Sequence, residues 1–327
     1  MFDVITVGSS TVDIFAHTEN ARMIRLRSSK SRREFISYPV GSKILVTKLL
    51  QNFGGNGANA AVSFSRLGFR TGYVGKIGKD LTGAQILDCL KKNRVTFLGA
   101  RGEQSGTSII LDAMGEDRTI LGFKGCNNEL LPSELTLQKI DARCFYFSSM
   151  IGKSLRSMEA IAARARRKKR MIAFNPSQTI LERDLTAARR IARLSDLIVL
   201  NKEEAELLVG NERAEKSLAR IAALGPRTAV ITDGRNGALA LQDGTYYRVM
   251  PRKGIKIVET TGAGDAFAST LAAMLILKKP MAQALKLAII QAESVIAHHG
   301  AQNNLLRKAE LLALAARDKR KVAEKKA

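Results

Sequence analysis

The segment Glu259-Thr-Thr-Gly-Ala-Gly-Asp265-Ala-Phe places two glycines directly before a carboxylate and a run of small residues with helical character. Phosphoryl transfer needs this order of parts. At a helix N-terminus, backbone N–H groups freed by Gly262 and Gly264 to approach a ligand closely could hold the anionic oxygens of a phosphoryl group in transit. Asp265, just beyond, could take the proton of an attacking hydroxyl. The same residues also read as a plain turn, with Asp265 capping a helix. A second glycine cluster, Phe53-Gly54-Gly55-Asn56-Gly57-Ala58-Asn59, runs into an amphipathic helix closed by Gly68. Its two amides both donate and accept hydrogen bonds, which suits a polyol.

Two such turns need a rigid frame, and the hydrophobic pattern supplies one. Short apolar strands are predicted over 3–7, 71–75, 144–148, 171–175, 197–200 and 228–232. Helical patterns over 57–67, 82–93, 154–169, 181–194 and 202–224 separate them, and from 266 the chain reads as helical through 281–298. This alternation predicts an α/β fold, a mainly parallel central sheet flanked by helices on both faces. Segments 14–47 and 106–123 break the alternation and read as antiparallel hairpins, the second around Met114-Gly-Glu-Asp. The main unit spans 1–310 and a basic tail 311–327, whose last ten or so residues read as a fraying helix or disordered.

Together these segments resemble the ribokinase (PfkB-type) family of carbohydrate and nucleoside kinases, in the family's order and over nearly the whole chain. Val7-Gly8-Ser9-Ser10-Thr11-Val12-Asp13 looks like the opening strand, whose aspartate binds sugar hydroxyls. Gly54-Gly55-Asn56-Gly57-Ala58-Asn59 looks like the first signature, and Val74-Gly75-Lys76-Ile77-Gly78-Lys79-Asp80-Leu81-Thr82-Gly83 is similar to the second glycine segment. Asn201-Lys202-Glu203-Glu204 matches the element that organises magnesium and phosphate. Ile231-Thr232-Asp233-Gly234-Arg235-Asn236-Gly237-Ala238 matches the nucleotide loop, and Thr-Gly-Ala-Gly-Asp265 the second signature.

The resemblance implies an ATP- and Mg²⁺-dependent sugar kinase with Asp265 as base and Gly262, Ala263 and Gly264 as anion hole. It implies that Asp13, Gly54, Gly55, Asn56 and Asn59 hold the acceptor, that Asn201, Thr232, Gly234 and Gly237 bind the nucleotide, and that Glu204 acts on Mg²⁺ through water. Segments 14–47 and 106–123 become a small β lid that excludes water, whose edge strand makes a homodimer plausible. Read as residues alone, Asn56 and Asn59 could be caps or turn formers, Asn201 an N-cap, Glu204 an exposed helical carboxylate and Asp233-Gly234 a turn. Glu259 stands where the family usually has Asp, which puts K⁺ activation in doubt. Asn56 stands where ribose kinases often have Lys, which argues against ribose itself. A nucleoside kinase is the alternative within the family. A non-catalytic sugar-binding or basic nucleic-acid-binding member is the alternative outside enzymes.

Composition fits an enzyme of this size. With 327 residues and 45% apolar content the chain can bury a substantial core. Three cysteines without metal or disulfide spacing point to a reducing compartment, and with no signal-like or spanning segment the cytoplasm is the expected location. The longest apolar run, 266–277, is too short to cross a membrane and reads as a buried helix behind the active-site turn. The formal net charge is +23, concentrated over 22–33, 164–170 and 317–326. Such patches can attract nucleic acid without sequence readout. No aromatic interleaving accompanies them, so non-specific binding is all they imply, and a solvated surface explains them equally well.

Overall fold

The computed structural model describes residues 1–19, 22–27, 32–112 and 118–327. Residues 20–21, part of the basic stretch 22–33 (28–31) and the turn expected at 114–117 lie outside the described residues.

The main sheet has ten strands. Its parallel part runs in the order β8 (Val95–Phe97), β6 (Thr71–Val74), β1 (Phe2–Val7), β12 (Ala142–Phe147), β13 (Met171–Phe174), β14 (Leu197–Asn201) and β15 (Thr228–Thr232). Strands β16 (Ala238–Gln242), β17 (Thr245–Val249) and β18 (Ala323–Lys326) continue it antiparallel. The parallel strands are apolar almost throughout because both faces are covered. On β12, Phe145 and Phe147 enter one layer while Cys144 and Tyr146 enter the other.

The first layer holds α3 (Lys153–Arg167), α4 (Gln178–Arg183), α5 (Leu185–Leu194), α6 (Lys202–Val209) and α7 (Ala214–Ala223). Helices α1 (Asn56–Arg66), α8 (Ala263–Ile276), α9 (Met281–Ile296) and α10 (Lys308–Arg317) form the second. Here Ala173, Ala238 and Ala240 of the sheet and Ala268, Ala272 and Ala273 of α8 lie in one buried cluster, and α8 packs over β12 and β14. Leu271 is fully buried among them, and its truncation to Ala would cost about 2–5 kcal/mol. The Ser63 and Ser269 hydroxyls meet at 2.7 Å and tie α1 to α8.

A separate four-stranded sheet forms the lid, in the order β11 (Arg118–Phe123), β10 (Gly106–Asp112), β2 (Thr11–His17) and β5 (Lys48–Gly54). Helix α2 (Leu81–Lys92) packs on it, its Ile86, Leu87 and Leu90 sharing one hydrophobic cluster with Val12, Ile14 and Phe53 of the lid. Two smaller pairs complete the chain: β3 (Arg22–Arg27) with β4 (Arg32–Ser37), and β7 (Lys76–Gly78) with β9 (Ala100–Gly102).

Several expectations change. The lid is not purely antiparallel: β2 pairs with β10 in parallel, because the long connection through α1 and α2 lets distant strands run the same way. Residues 202–224 form two helices, since Gly210 at φ 94° ends α6. Residues 181–194 also fall into two, with the Asp184 carboxylate capping α5 by accepting from Ala187 N at 2.9 Å. The β16–β17 hairpin was not expected, although Asp243-Gly244, with φ 48° and 72°, is a strong two-residue hairpin signal. The end of the chain is neither frayed nor disordered: β18 pairs with β17 along the sheet edge.

Candidate active site

Helix α8 begins at Ala263, after Gly262 in the left-handed region at φ 80°. Gly262 lies so close to Ala301 that a Cβ would sit 2.4 Å from the Ala301 Cβ. At Gly264 a Cβ would meet nothing within 4 Å, so the first turn of the helix is open on that side. Of the three amides expected to form an anion hole, that of Ala263 donates to the Thr260 carbonyl at 3.2 Å and closes the turn. Among the described residues the buried Thr261 hydroxyl beside it has no hydrogen-bond partner, which leaves a donor available at this helix start.

Asp265 sits in the first turn of α8 with 8% of its surface exposed. Its Oδ1 accepts from Asn56 Nδ2 at 3.1 Å and its Oδ2 from Asn59 Nδ2 at 2.9 Å. The two asparagines are three apart on α1 and so share one helix face. Burial pushes the Asp265 carboxyl up to about 6, the Asn59 and Asn56 amides oppose that rise, and the nearby Asp13 charge adds to it. The structure thus turns the amide N–H groups of Asn56 and Asn59, expected on the acceptor, toward the base itself.

Asp13 reaches the site from the lid. The expected single opening strand 7–13 is two strands in two sheets: β1 ends at Val7, and the chain crosses through Gly8 into lid strand β2. Asp13 pairs in register with Asn52 and Ser108 on either side, and the Thr11 hydroxyl donates to its Oδ1 at 3.0 Å. Its pKa is raised, first by burial. Gly54 is required here by space, since a Cβ would sit 2.1 Å from Asp13 Oδ2. Gly55, at φ 89°, would drive a Cβ to 2.5 Å from Ser10 Cα.

Across the site, Asn201 ends β14 and pairs with Thr232 of β15. Asn201 is the N-cap of α6: its Oδ1 accepts from Glu204 N at 2.7 Å, while Asn201 N donates to Glu204 Oε2 at 2.9 Å. The cap reading of Asn201 is therefore realised, and Glu204 is buried rather than exposed. Burial pushes the Glu204 carboxyl up to about 7, the Asn201 N–H opposes that and the Asp265 charge adds to it. The Thr232 hydroxyl donates to the Leu200 carbonyl at 3.3 Å. Gly234 has open space at its Cβ position, whereas a Cβ on Gly237 would sit 2.0 Å from the Val249 carbonyl, so packing fixes the second glycine of this loop. Among the described residues no group of three or more His, Cys, Asp or Glu could hold a metal by itself. Magnesium suits that donor set, since it keeps waters and takes one or two carboxylates plus phosphate oxygens.

Glu259 is buried, and its Oε2 accepts from Gly300 N at 2.9 Å with His299 Nδ1 at 3.7 Å. Helix α9 stops at Ile296, so His298-His299 lies beyond the helix and His299 faces this carboxylate. Sequence reasoning missed Gln302, whose Nε2 donates to Asn59 Oδ1 at 2.9 Å, because nothing local marks a glutamine in a loop. A groove of about 520 Å³ lined by Arg166, Lys169, Arg170, Met171 and Asp196 opens at the start of β13, away from the strand ends that carry Asn201 and Thr232.

The pfkB family carbohydrate kinase profile matches residues 23–308. The chain belongs to this family. It is 31% identical to the ribokinase of Mus musculus over 67% of this chain and 70% of that one. It is 29% identical to fructokinase-2 of Oryza sativa subsp. japonica over 67% of this chain and 69% of that one. The structure of Arabidopsis thaliana ribokinase complexed with ribose and ATP superposes with a TM-score of 0.80 at 20% identity, covering 96% of this chain and 98% of that one. The fold is the ribokinase fold, a mostly parallel sheet flanked by helices with a separate small lid sheet. This pfkB member is an ATP-dependent sugar kinase, a phosphotransferase with an alcohol group as acceptor.

Proposed function

We propose that this kinase phosphorylates a free sugar, with Asp265 as the base that takes the acceptor proton. The observation that carries the reading is the seat of Asp265: a buried carboxylate at a helix start, held by two amides and facing Asp13 from the lid. Asp13, Gly54, Gly55, Asn56 and Asn59 would bind and orient the acceptor, Asp13 by accepting from its hydroxyls and the two asparagines through the second hydrogen of each NH₂, the first being on Asp265. The Gly262 and Gly264 N–H groups, with Ala263 sharing its own, would stabilise the charge that develops on the phosphoryl oxygens. ATP with Mg²⁺ supplies the phosphoryl group and neutralises part of its charge when bound. Glu204 would hold a magnesium-bound water, and Asn201, Thr232, Gly234 and Gly237 would border the nucleotide. The lid would exclude water and so favour transfer over hydrolysis.

The sugar reading over a nucleoside is supported by the ribokinase and fructokinase relatives. A homodimer is supported by the outward face of the lid, where Leu49, Ile109, Leu121 and Phe123 are exposed. With no helix among the described residues long and apolar enough to cross a membrane, a cytoplasmic location is part of the same proposal. So is nucleic-acid binding of a non-specific kind only. The Glu259 carboxylate held by Gly300 argues against a K⁺ requirement.

The test is coupled ATP turnover with Mg²⁺ against pentoses, hexoses, keto-sugars, sugar acids and nucleosides, for wild type and Asp265→Asn. Sugar-dependent turnover that collapses in the variant supports the reading. Turnover on nucleosides alone would replace it, and no turnover with salt-sensitive RNA binding would sink it.

A further inference from the structure

Asp265 is the final acceptor in a line of polar groups that all point the same way. Asn93 Nδ2 lies 3.7 Å from Cys89 Sγ, and Cys89 Sγ lies 3.6 Å from Gln302 Oε1. Gln302 Nε2 donates to Asn59 Oδ1 at 2.9 Å, and Asn59 Nδ2 donates to Asp265 Oδ2 at 2.9 Å. Burial pushes the Cys89 thiol up to about 11, so it stays protonated and can donate. Donors aligned in series polarise one another and strengthen the last bond. An asparagine amide presents an oxygen and an NH₂ of nearly the same shape, and its second partner decides which end faces the first.

We propose that Gln302 is a positioning residue for phosphoryl transfer: by occupying the Asn59 carbonyl it keeps the Asn59 N–H on Asp265, holding that carboxylate ionised and aimed. The inference rests on Asp265 as the base. Gln302, buried in the loop after α9, makes its contacts to Asn59 and Cys89. Without it the Asn59 amide can turn half a revolution and offer its oxygen to a protonated Asp265, which favours the form that cannot act as base. The other groups facing Asp265 are Asp13 from β2, Glu204 from α6, Tyr146 from β12 and the Asn56 amide, with Glu259 behind Asp13. None of them hydrogen-bonds to Gln302, so the uncharged substitution to Met reports on the Asn59 amide, while Glu adds the repulsion of its own charge.

The experiment uses Gln302→Met and Gln302→Glu in the full chain, with two readouts. One is kcat/KM against pH; the other is the ¹³C-carboxyl titration of Asp265, assigned by its loss in Asp265→Asn. An ionised Glu at 302 accepts from the Asn59 NH₂ and turns the amide round, and its shape matches Gln should the Met variant fail to fold. The expected result is an upward move of both midpoints by about one pH unit, tenfold in proton affinity, and further for Glu than for Met. A lower melting temperature or kcat with both midpoints unmoved would mark Gln302 as merely structural and overturn the proposal. The carboxyl titration needs no acceptor, so it decides the matter even if the substrate panel shows no turnover, a result that counts against the kinase reading alone.

Discussion

Asn201 and Glu204 hold each other reciprocally across the start of α6, backbone N–H to side-chain oxygen in both directions, at 2.7 and 2.9 Å. The carboxylate proposed to serve the metal is therefore also half of a capping box. The two roles separate by substitution. Glu204→Gln keeps an oxygen for the Asn201 N–H and removes only the charge, so the melting temperature should hold at pH 4 and exceed that of wild type at pH 8, while turnover falls by about 10² and the Mg²⁺ concentration for half-activity rises. Glu204→Ala loses both and should also destabilise the fold by about 1 kcal/mol. Thermal melts beside Mg²⁺ titrations of turnover check this; equal melting losses in both variants would contradict it.

Asp265 should make the protein less stable as the pH rises. Its folded-state pKa of about 6 lies above the ordinary 3.8, so between those values the folded protein holds a proton that the unfolded chain has released. Stability from this group is full below about pH 4 and is lost as the pH climbs through about 6; Glu204, about 7 against 4.5, acts in the same direction. Asp265→Asn should then melt higher than wild type at pH 8 by a few degrees, with no advantage at pH 4, while losing turnover by about 10²–10⁴. Melting curves at the two pH values measure it.

Wild-type kcat/KM should fall on the acid side below about pH 6, where the free enzyme protonates Asp265. A flat profile from pH 5 to 8 under subsaturating acceptor would remove Asp265 from the base role.

Gly262 and Gly264 should respond differently to the same substitution. Gly262→Ala meets both a left-handed φ of 80° and the Ala301 side chain, so it should cost on the order of 1–3 kcal/mol or more in stability. Gly264→Ala fills open space within a helix and should leave the melting temperature unchanged or higher. Its methyl would nonetheless stand where the phosphoryl oxygens are proposed to dock, with turnover down by about 10² or more. Paired melting and turnover assays separate the two.

The C-terminal segment should be part of the stable fold. Arg320 grips Glu293 of α9 through two bonds of 2.6 and 2.7 Å and also pairs with Asp318, all with side chains only 11–16% exposed. Arg320→Ala leaves Glu293 poorly compensated and should cost on the order of 3 kcal/mol by denaturant titration. Removing 322–327 should expose the β17 edge and lower stability as well. Wild-type stability in both would return the segment to the status of a loose tail.

What the sequence by itself determined was local. The glycine turns before Asp265 and Asn59 are legible because a left-handed φ at Gly262 and Gly55 selects glycine whatever surrounds it. The parallel sheet is legible because strands covered on both faces must be apolar throughout. Only the tertiary structure decided the pairings. Asn59 and Asp265 are 206 residues apart, and nothing near either residue says that the amide serves the carboxylate. Asp13 follows β1 so closely that the two read as one strand, yet the turn at Gly8 sends it into another sheet. Ala323-Glu-Lys-Lys has little strand propensity of its own, and it becomes β18 only because β17 presents a row of unpaired backbone groups at the sheet edge.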